Sequence, residues 1–420
     1  MLSAINSRLP FYGIMRAIFY QEITMKLPII RYTTLALLLA GCSQTPVIEQ
    51  SPTYPQQTVV QPPITPVERP ISQEPATPPV ITGAPISTRL SNLQLHPSDF
   101  EALPGWATED HSAAFRAFHH SCKRWNSMPS DKILSGSFNL GSAGDWQRIC
   151  AQPVTHGQER QFFEQWFKPY AVSDSGSFDG LFTGYYLPEL HGSYQQSPRY
   201  NVPIYRMPSG GLRGYSRAQI QAGALEGKGL ELLWVDNYID AFFMEVQGSG
   251  RVIMEDGTVR GLGFAGGNGH EYYAIGKTLV NNGEIAKEDI SMQSIRAWIE
   301  QHPVEGQQLM LSNASYVYFR FTPADPNVGP SGAMAVPLTA QHSLAIDRKH
   351  LPMGIPIWLD AEHPIQGQRL RRLVMAQDTG GAIKGAIRGD VYWGQGEKAS
   401  KMAGPMKSKG YYYLLVPRGM

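Results

Sequence analysis

The chain has almost no net charge, almost no cysteine and no apolar run of membrane length, and each shortage removes a class of function. Its 36 lysines and arginines against 35 aspartates and glutamates leave a formal charge of +1. That is far from the basic footprint that a phosphate backbone selects, so nucleic acid is not expected as a partner. Three cysteines in 420 residues are too few for a disulfide framework. The histidines show none of the clustered spacing that a zinc site requires, so neither a metal nor a cofactor is expected. G-x-S-x-G, P-loop and Rossmann fingerprints are missing as well. "GSGRVIMEDG" and "GLGFAGGNG" hold glycines without the strand, turn and helix setting those motifs need.

What is present is enough apolar material for a large interior. At 42% hydrophobic and 10% aromatic, the chain is expected to fold as more than one domain. Residues 25–42, "MKLPIIRYTTLALLLAGC", set Lys26 ahead of a short apolar run and small residues before Cys42, the pattern of a bacterial export signal. The run falls short of the roughly 20 residues that span a bilayer. Leu39, Ala40, Gly41 and Cys42 resemble a lipobox, so Cys42 is expected to carry acyl chains and to begin the mature lipoprotein. Ser43 in place of Asp suits onward passage to the outer membrane. Residues 1–24 lie upstream of the signal at 25–41 and have no part in it, which makes Met25 a candidate start.

Eleven prolines crowd residues 43–85. Such a stretch prefers extended polyproline geometry, so 42–90 reads as a lipidated tether; roughly 40 residues at about 3.1 Å each reach on the order of 100 Å. Beyond it, Cys122 and Cys150 remain as one candidate disulfide in an oxidising compartment, and the spacing leaves its geometry open.

The body changes texture near residue 178. "DHSAAFRAFHHSCKRWN", "DWQRICAQ" and "ERQFFEQWFKPY" carry helical periodicity. After them come short β-branched or aromatic runs bounded by Gly, Pro, Asn or Asp: "NVPIYR", "LELLWVD", "IDAFFMEVQGSGRVIM", "YVYFRF", "AMAVPL", "IPIWLD", "RRLVMAQD" and "YYYLLVPR". The expected class is mainly β with N-terminal helices, in a closed or nearly closed architecture.

One stretch concentrates chemistry. "AQDTGGAIKGAIRGDVYWG", residues 376–394, holds Asp378 and Asp390 with Gly380, Gly381, Gly385 and Gly389 between them. Glycine permits close backbone approach, so the segment can turn around an elongated ligand with both carboxylates facing a groove. Lys384 is placed to hold Asp378 ionised or to meet a sugar acid. Asp378 equally suits a structural turn, its carboxylate accepting backbone N–H groups. Asp390 sits beside Tyr392 and Trp393, aromatic neighbours that desolvate a carboxyl, raise its pKa and offer stacking faces to pyranose rings.

Together with the lipobox, "FTGYYLPEL", "FFMEVQGSGRV", "GFAGGNGHEYYAIGK", "NASYVYFR", "VPLTAQHSLAIDRKHLPMGIPIWL" and the stretch above resemble the membrane-bound lytic murein transglycosylase A family. The last two resemble its three-aspartate domain, here Asp347, Asp378 and Asp390. The resemblance implies two β-rich domains separated by a large groove. One is a double-psi β-barrel from 91–190 plus 313–420; the other is an inserted β domain at 191–312.

It also implies a peptidoglycan lyase without a cofactor, cutting between N-acetylmuramic acid and N-acetylglucosamine and leaving a 1,6-anhydro end. Asp390 is then the catalytic acid and base, with Asp378, Asp347 and Lys384 in support. Thr183, Tyr185, Tyr186, Gln247, Gly248, Ser249, Tyr392 and Trp393 are expected along the sugar path, while Asn268 and His270 read first as a turn and a packed ring. Implied partners are peptidoglycan glycan strands, the outer membrane through the lipid anchor, and cell-wall synthases or scaffold proteins. A muramidase and a non-catalytic wall-binding scaffold are the rival functions. The lipobox makes a direct prediction: Cys42→Ser abolishes labelling with radioactive palmitate and moves the protein from the membrane fraction to the soluble periplasmic one.

Overall fold

Apolar spacing builds the first helix. Ala114, Ala117, Phe118, Ser121, Cys122 and Trp125 recur every three or four residues and are buried along one stripe of α1 (His111–Asn126), whose N-terminus is capped by the Asp110 carboxylate accepting the Ser112 N–H. A Ser142/Asp145 capping box opens α2 (Ala143–Cys150), and α3 (Glu159–Trp166) follows. A disulfide joins Cys122 to Cys150, with Cα atoms 5.6 Å apart. This computed structural model describes residues 78–87, 92–134, 136–325, 328–364 and 367–419. The upstream segment, the signal, Cys42 and most of the tether lie outside the described residues.

Two sheets carry the rest. Strands β1 (Ile86–Ser87) and β2 (Leu93–Pro97) precede the helices, and β3 (Phe167–Asp174) and β4 (Gly180–Leu187) follow them. Next come β5 (Glu189–Ser193), β6 (Val202–Tyr205), β7 (Glu231–Val235), β8 (Ser249–Met254), β9 (Val259–Gly267) and β10 (Val317–Thr322). The last are β11 (Ser343–Ile346), β12 (Pro356–Glu362), β13 (Arg369–Asp378), β14 (Arg388–Gln395) and β15 (Lys407–Pro417).

Strands β5 to β10 form a six-stranded sheet in the order β10-β9-β8-β5-β7-β6. The other nine run β1-β2-β3-β15-β12-β13-β11-β14-β4, and β15 pairs again with β4. That extra pairing closes β15, β12, β13, β11, β14 and β4 into a ring. Within it β11–β13 and β14–β4 are parallel. Closure removes strand edges and buries both faces, which is why β11 and β12 are buried nearly without alternation, Ser343 and Asp360 included. Trp358, Tyr412 and Tyr413 are fully buried, the two tyrosines on opposite faces of β15.

Two strand expectations fail. The run at 239–254 divides into a helix, α5 (Tyr238–Gln247), and β8, after the short α4 (Arg217–Gln219). Asn237 caps α5 by accepting the N–H groups of Ile239 and Asp240 at 2.8 and 3.1 Å, and Gly248, at φ 79°, ends it. A short apolar run reads as either element by periodicity, and here the cap decided. "AMAVPL" makes a turn instead of a strand, with Ala335 at φ 60°. The helices α6 (Gly276–Asn281), α7 (Met292–Gln301) and α8 (Pro303–Leu311) also lie within the stretch expected to be β, and α9 (Gly396–Ala403) follows β14.

The second sheet's interior holds a buried ion pair. Arg217 donates to both carboxylate oxygens of Glu245 at 2.9 and 3.0 Å and to the backbone oxygens of Asn313 and Ser315. Glu245 also accepts the Val317 N–H at 2.9 Å. Leaving the guanidinium without its partner in this interior costs on the order of 3–5 kcal/mol. Glu245→Ala is therefore expected to lower the thermal unfolding midpoint markedly, while paired Arg217→Met/Glu245→Leu recovers most of the loss in the same scan.

Candidate active site

The pairing register sets one row of side chains across the ring. Ala345 of β11 pairs with Asp378 of β13 on one side and with Asp390 of β14 on the other. Asp390 in turn pairs with Thr183 of β4. Adjacent strands lie about 4.8 Å apart, so the two aspartates stand about 10 Å apart at the backbone, with only an alanine methyl between them. Gly389 lets β14 approach β11: a Cβ there would meet the Leu344 side chain at 2.8 Å.

The two carboxylates are held differently. One oxygen of Asp378 accepts the Tyr185 hydroxyl at 2.8 Å, and the other accepts the N–H groups of Ala333 and Thr379, both at 2.9 Å. Asp390 accepts one hydrogen bond, from the Thr183 hydroxyl to Oδ1 at 2.6 Å. Its Oδ2 has no hydrogen-bond partner among the described residues. Its residue surface is only partly covered, whereas protein surrounds the carboxyl closely; a group on the floor of an open depression has both properties.

Electrostatics follows from that placement. Burial pushes the Asp390 carboxyl up to about 6, with the Thr183 bond and the Arg388 charge opposing and the Asp378 charge reinforcing the rise. Burial also raises Asp378 against its three hydrogen bonds. Asp347 moves the other way: burial pushes it up, but N–H bonds from Gly385 and Lys349, at 3.0 Å each, and the charges of His350 and Lys384 prevail. Asp347 thus clamps Gly385, near the end of the loop between β13 and β14.

Of the remaining expected residues, Thr183, Tyr186 and Gln247 line one cavity of about 630 Å³. The Tyr186 N–H donates to the Gln247 side-chain oxygen at 3.0 Å, tying β4 to the end of α5. Gly248 caps α5 and Ser249 opens β8 beside it. Lys384 is exposed, and its charge acts on Asp347 rather than on Asp378. Asn268 is buried, donating to the Tyr215 and Ala314 carbonyls, and His270 bonds the Gly214 carbonyl.

The stacking faces expected of Tyr392 and Trp393 are not available, since the two are 2% and 6% exposed. On a strand covered on both sides, alternation sends Tyr392 against Tyr185, at 5.3 Å between ring centroids, and Trp393 into the main core, where its Nε1 meets the Met406 sulfur.

Arg388 escaped the sequence reading. Its Nη2 donates to the Thr183 oxygen at 2.8 Å, so the threonine's own proton is directed to Asp390. The available signal was its position two residues before Asp390, hence on the same strand face. A larger cavity of about 1060 Å³ lies in the second sheet's unit and touches none of the three aspartates. The cavity of about 630 Å³ touches none of the three aspartates either, but its lining includes Thr183, which bonds Asp390, so it lies beside that carboxyl.

The MltA specific insert domain matches residues 181–213 and 212–320, and the 3D domain matches 342–416. The Thr183–Asp390 bond therefore joins the two matched regions. A membrane-bound lytic murein transglycosylase from Agrobacterium tumefaciens is similar in structure, with a TM-score of 0.69 and 31% identity over 77% of this chain and 98% of that one. The chain belongs to the membrane-bound lytic murein transglycosylase A family. Escherichia coli MltA with bound chitohexaose superposes with a TM-score of 0.58 at 29% identity, over 84% of this chain and 98% of that one. By sequence, membrane-bound lytic murein transglycosylase A of Escherichia coli K12 is 41% identical over 245 residues, 56% of this chain and 65% of that protein. The aligned stretch thus spans just under two thirds of this curated MltA relative. No helix among the described residues is long and apolar enough to cross a membrane.

A carboxyl held near 6 in the fold has a stability cost with a defined sign. Above that value the folded chain carries a poorly solvated charge; below its ordinary value of 3.8 it is protonated folded or unfolded, and the cost is gone. Asp390→Asn is accordingly expected to melt a few degrees higher than wild type near pH 7.5 and to keep only a small part of that advantage near pH 4. An advantage that is equal at both pH values would contradict the burial argument.

Proposed function

We propose that the protein is a peptidoglycan lytic transglycosylase, anchored by Cys42 to the outer membrane and facing the periplasm, that cleaves the β-1,4 bond between N-acetylmuramic acid and N-acetylglucosamine. Asp390 serves as acid and then base. Protonated at Oδ2, it gives its proton to the glycosidic oxygen as the bond to C1 breaks. As carboxylate it then takes the proton of the C6 hydroxyl while that oxygen bonds to C1. No water enters, and the product is a 1,6-anhydromuramyl end. A glycosidase that hydrolyses needs a second carboxylate to activate water or to attack C1, whereas an internal hydroxyl needs none.

The observation that carries this reading is the contrast between the two aspartates. Asp378 has both oxygens engaged by three donors, so it steadies the loop and the developing oxocarbenium charge. Asp390 has one oxygen fixed by Thr183, the other open, and a proton affinity suited to an acid near neutrality. Asp347 braces the barrel, and Lys384 assists it from the loop. In the same reading the six-stranded ring is a double-psi β-barrel in the unit 91–190 plus 313–420, the inserted unit is 191–312, and the sugars lie between them along Tyr186, Gln247, Gly248 and Ser249. Tyr185 acts through Asp378. Glycan strands are the substrate, and cell-wall synthases or scaffold proteins are the protein partners.

Muropeptide release by the purified protein tests the proposal. Wild type is expected to yield products that lack a reducing end and are one water lighter than those of a muramidase. Asp390→Asn is expected to lose turnover by at least about 10²-fold with glycan binding kept, and Asp378→Asn to slow it without abolishing it. Reducible ends from wild type would assign a muramidase instead, and unchanged release by Asp390→Asn would falsify the role given to that residue.

A further inference from the structure

The row that holds Asp390 continues one strand further. Lys407 of β15 pairs in register with Thr183, so the order across the ring is Asp378, Ala345, Asp390, Thr183, Lys407. Two strand spacings, about 10 Å, separate the lysine backbone from that of Asp390, and cross-strand partners share a face. The cavity that Thr183 lines is also lined by Lys407, Lys287 and Lys277, and by no aspartate or glutamate. The other cavity has the opposite character: Glu226, Glu231, Glu245 and Glu300 line it, with Arg217 its one cation, already neutralised by Glu245. In a chain with a formal charge of +1, positive charge has thus been gathered at the cavity next to the reacting carboxyl.

None of the three ammonium groups forms an ion pair with a carboxylate among the described residues, and all three lysines are exposed. Lys407 Nζ donates to the backbone oxygen of Lys287 at 3.4 Å, which brings two cations to one edge. Phe242, Tyr272 and Ile295 supply apolar lining between them. Unpaired cations around a concave surface focus a positive potential into it. A chain of N-acetylated sugars offers that potential little, but the peptide stem attached through the lactyl group of each muramyl residue carries free carboxylates. In a muramyl ring the lactyl ether stands at C3, two ring atoms from C1, so a stem attached there extends beyond the ring whose C1 meets Asp390.

We propose that Lys407, Lys287 and Lys277 form an anion subsite that receives the carboxylates of the peptide stem borne by the muramyl residue being cut. The proposal rests on the glycan-cleaving reading of the site given above, and makes the stem a recognised part of the substrate. The enzyme then selects strands still bearing acidic stems over denuded or amidated ones.

The test compares stem-bearing glycan strands with the same strands after their stem carboxylates have been converted to neutral amides, using the purified full-length protein. Wild type is expected to show kcat/KM about tenfold higher for the charged strands at low salt, and a preference that shrinks as salt rises. Lys407→Glu, and separately the pair Lys277→Gln/Lys287→Gln, are expected to bring the ratio to about one or below. A wild-type ratio of one at low salt, or a ratio unmoved in folded variants, overturns the subsite and leaves the cleavage reading intact. Failure of both substrates to give anhydro ends overturns the cleavage reading instead. The salt series on wild type decides even where a lysine variant does not fold.

Discussion

The parallel pairing of β14 with β4 is the constraint on which the site depends. It sets Thr183 opposite Asp390, and the hydroxyl donates because Arg388 already occupies its acceptor side. Slipping the register by one residue would turn the carboxyl into the core and send Trp393 toward the groove. The same pairing joins regions of sequence 207 residues apart, so the reactive geometry is a property of the closed ring rather than of any local motif. Everything else at the site adjusts the proton affinity or the reach of that one carboxyl.

Burial and hydrogen bonding divide the labour among three aspartates of similar sequence setting. Two backbone donors keep Asp347 ionised and turn it into a clamp on Gly385. Three donors saturate Asp378. A single donor leaves Asp390 with a raised proton affinity and an open oxygen. Enclosure weighed against donors separates the three: Asp347, the least enclosed, stays low with two donors, whereas enclosure raises Asp378 despite three and Asp390 with one. The bond from Tyr186 to Gln247 then brings the inserted unit's α5 to the rim of the same depression.

Part of this was legible in the sequence because helical periodicity and short β-branched runs are local. The helical stripe of α1 and the strands around "IPIWLD" and "RRLVMAQD" follow from spacing over a few residues, whereas Asp378 ends β13 and Asp390 lies on β14, so strand pairing through β11 sets them in one row. What escaped was decided at a distance. Asn237 and Gly248 turned an apolar run into α5. Closure of the ring buried Tyr392 and Trp393, so their aromatic faces pack instead of stacking on sugars. Arg388 meets Thr183 only through a strand pairing that no local pattern encodes.

Ring closure also carries a temporal consequence. The strand that completes the ring, β15, pairs with β3, β4 and β12 at once, and it comes late in the chain. Until it docks, β12 and β4 each lack one lateral neighbour and the ring stays open, and long-range pairings of this kind form slowly. Lys407 of that late strand flanks Thr183, whose hydroxyl holds Asp390, so the surroundings of the carboxyl are complete only once the carboxyl-terminal strand has docked.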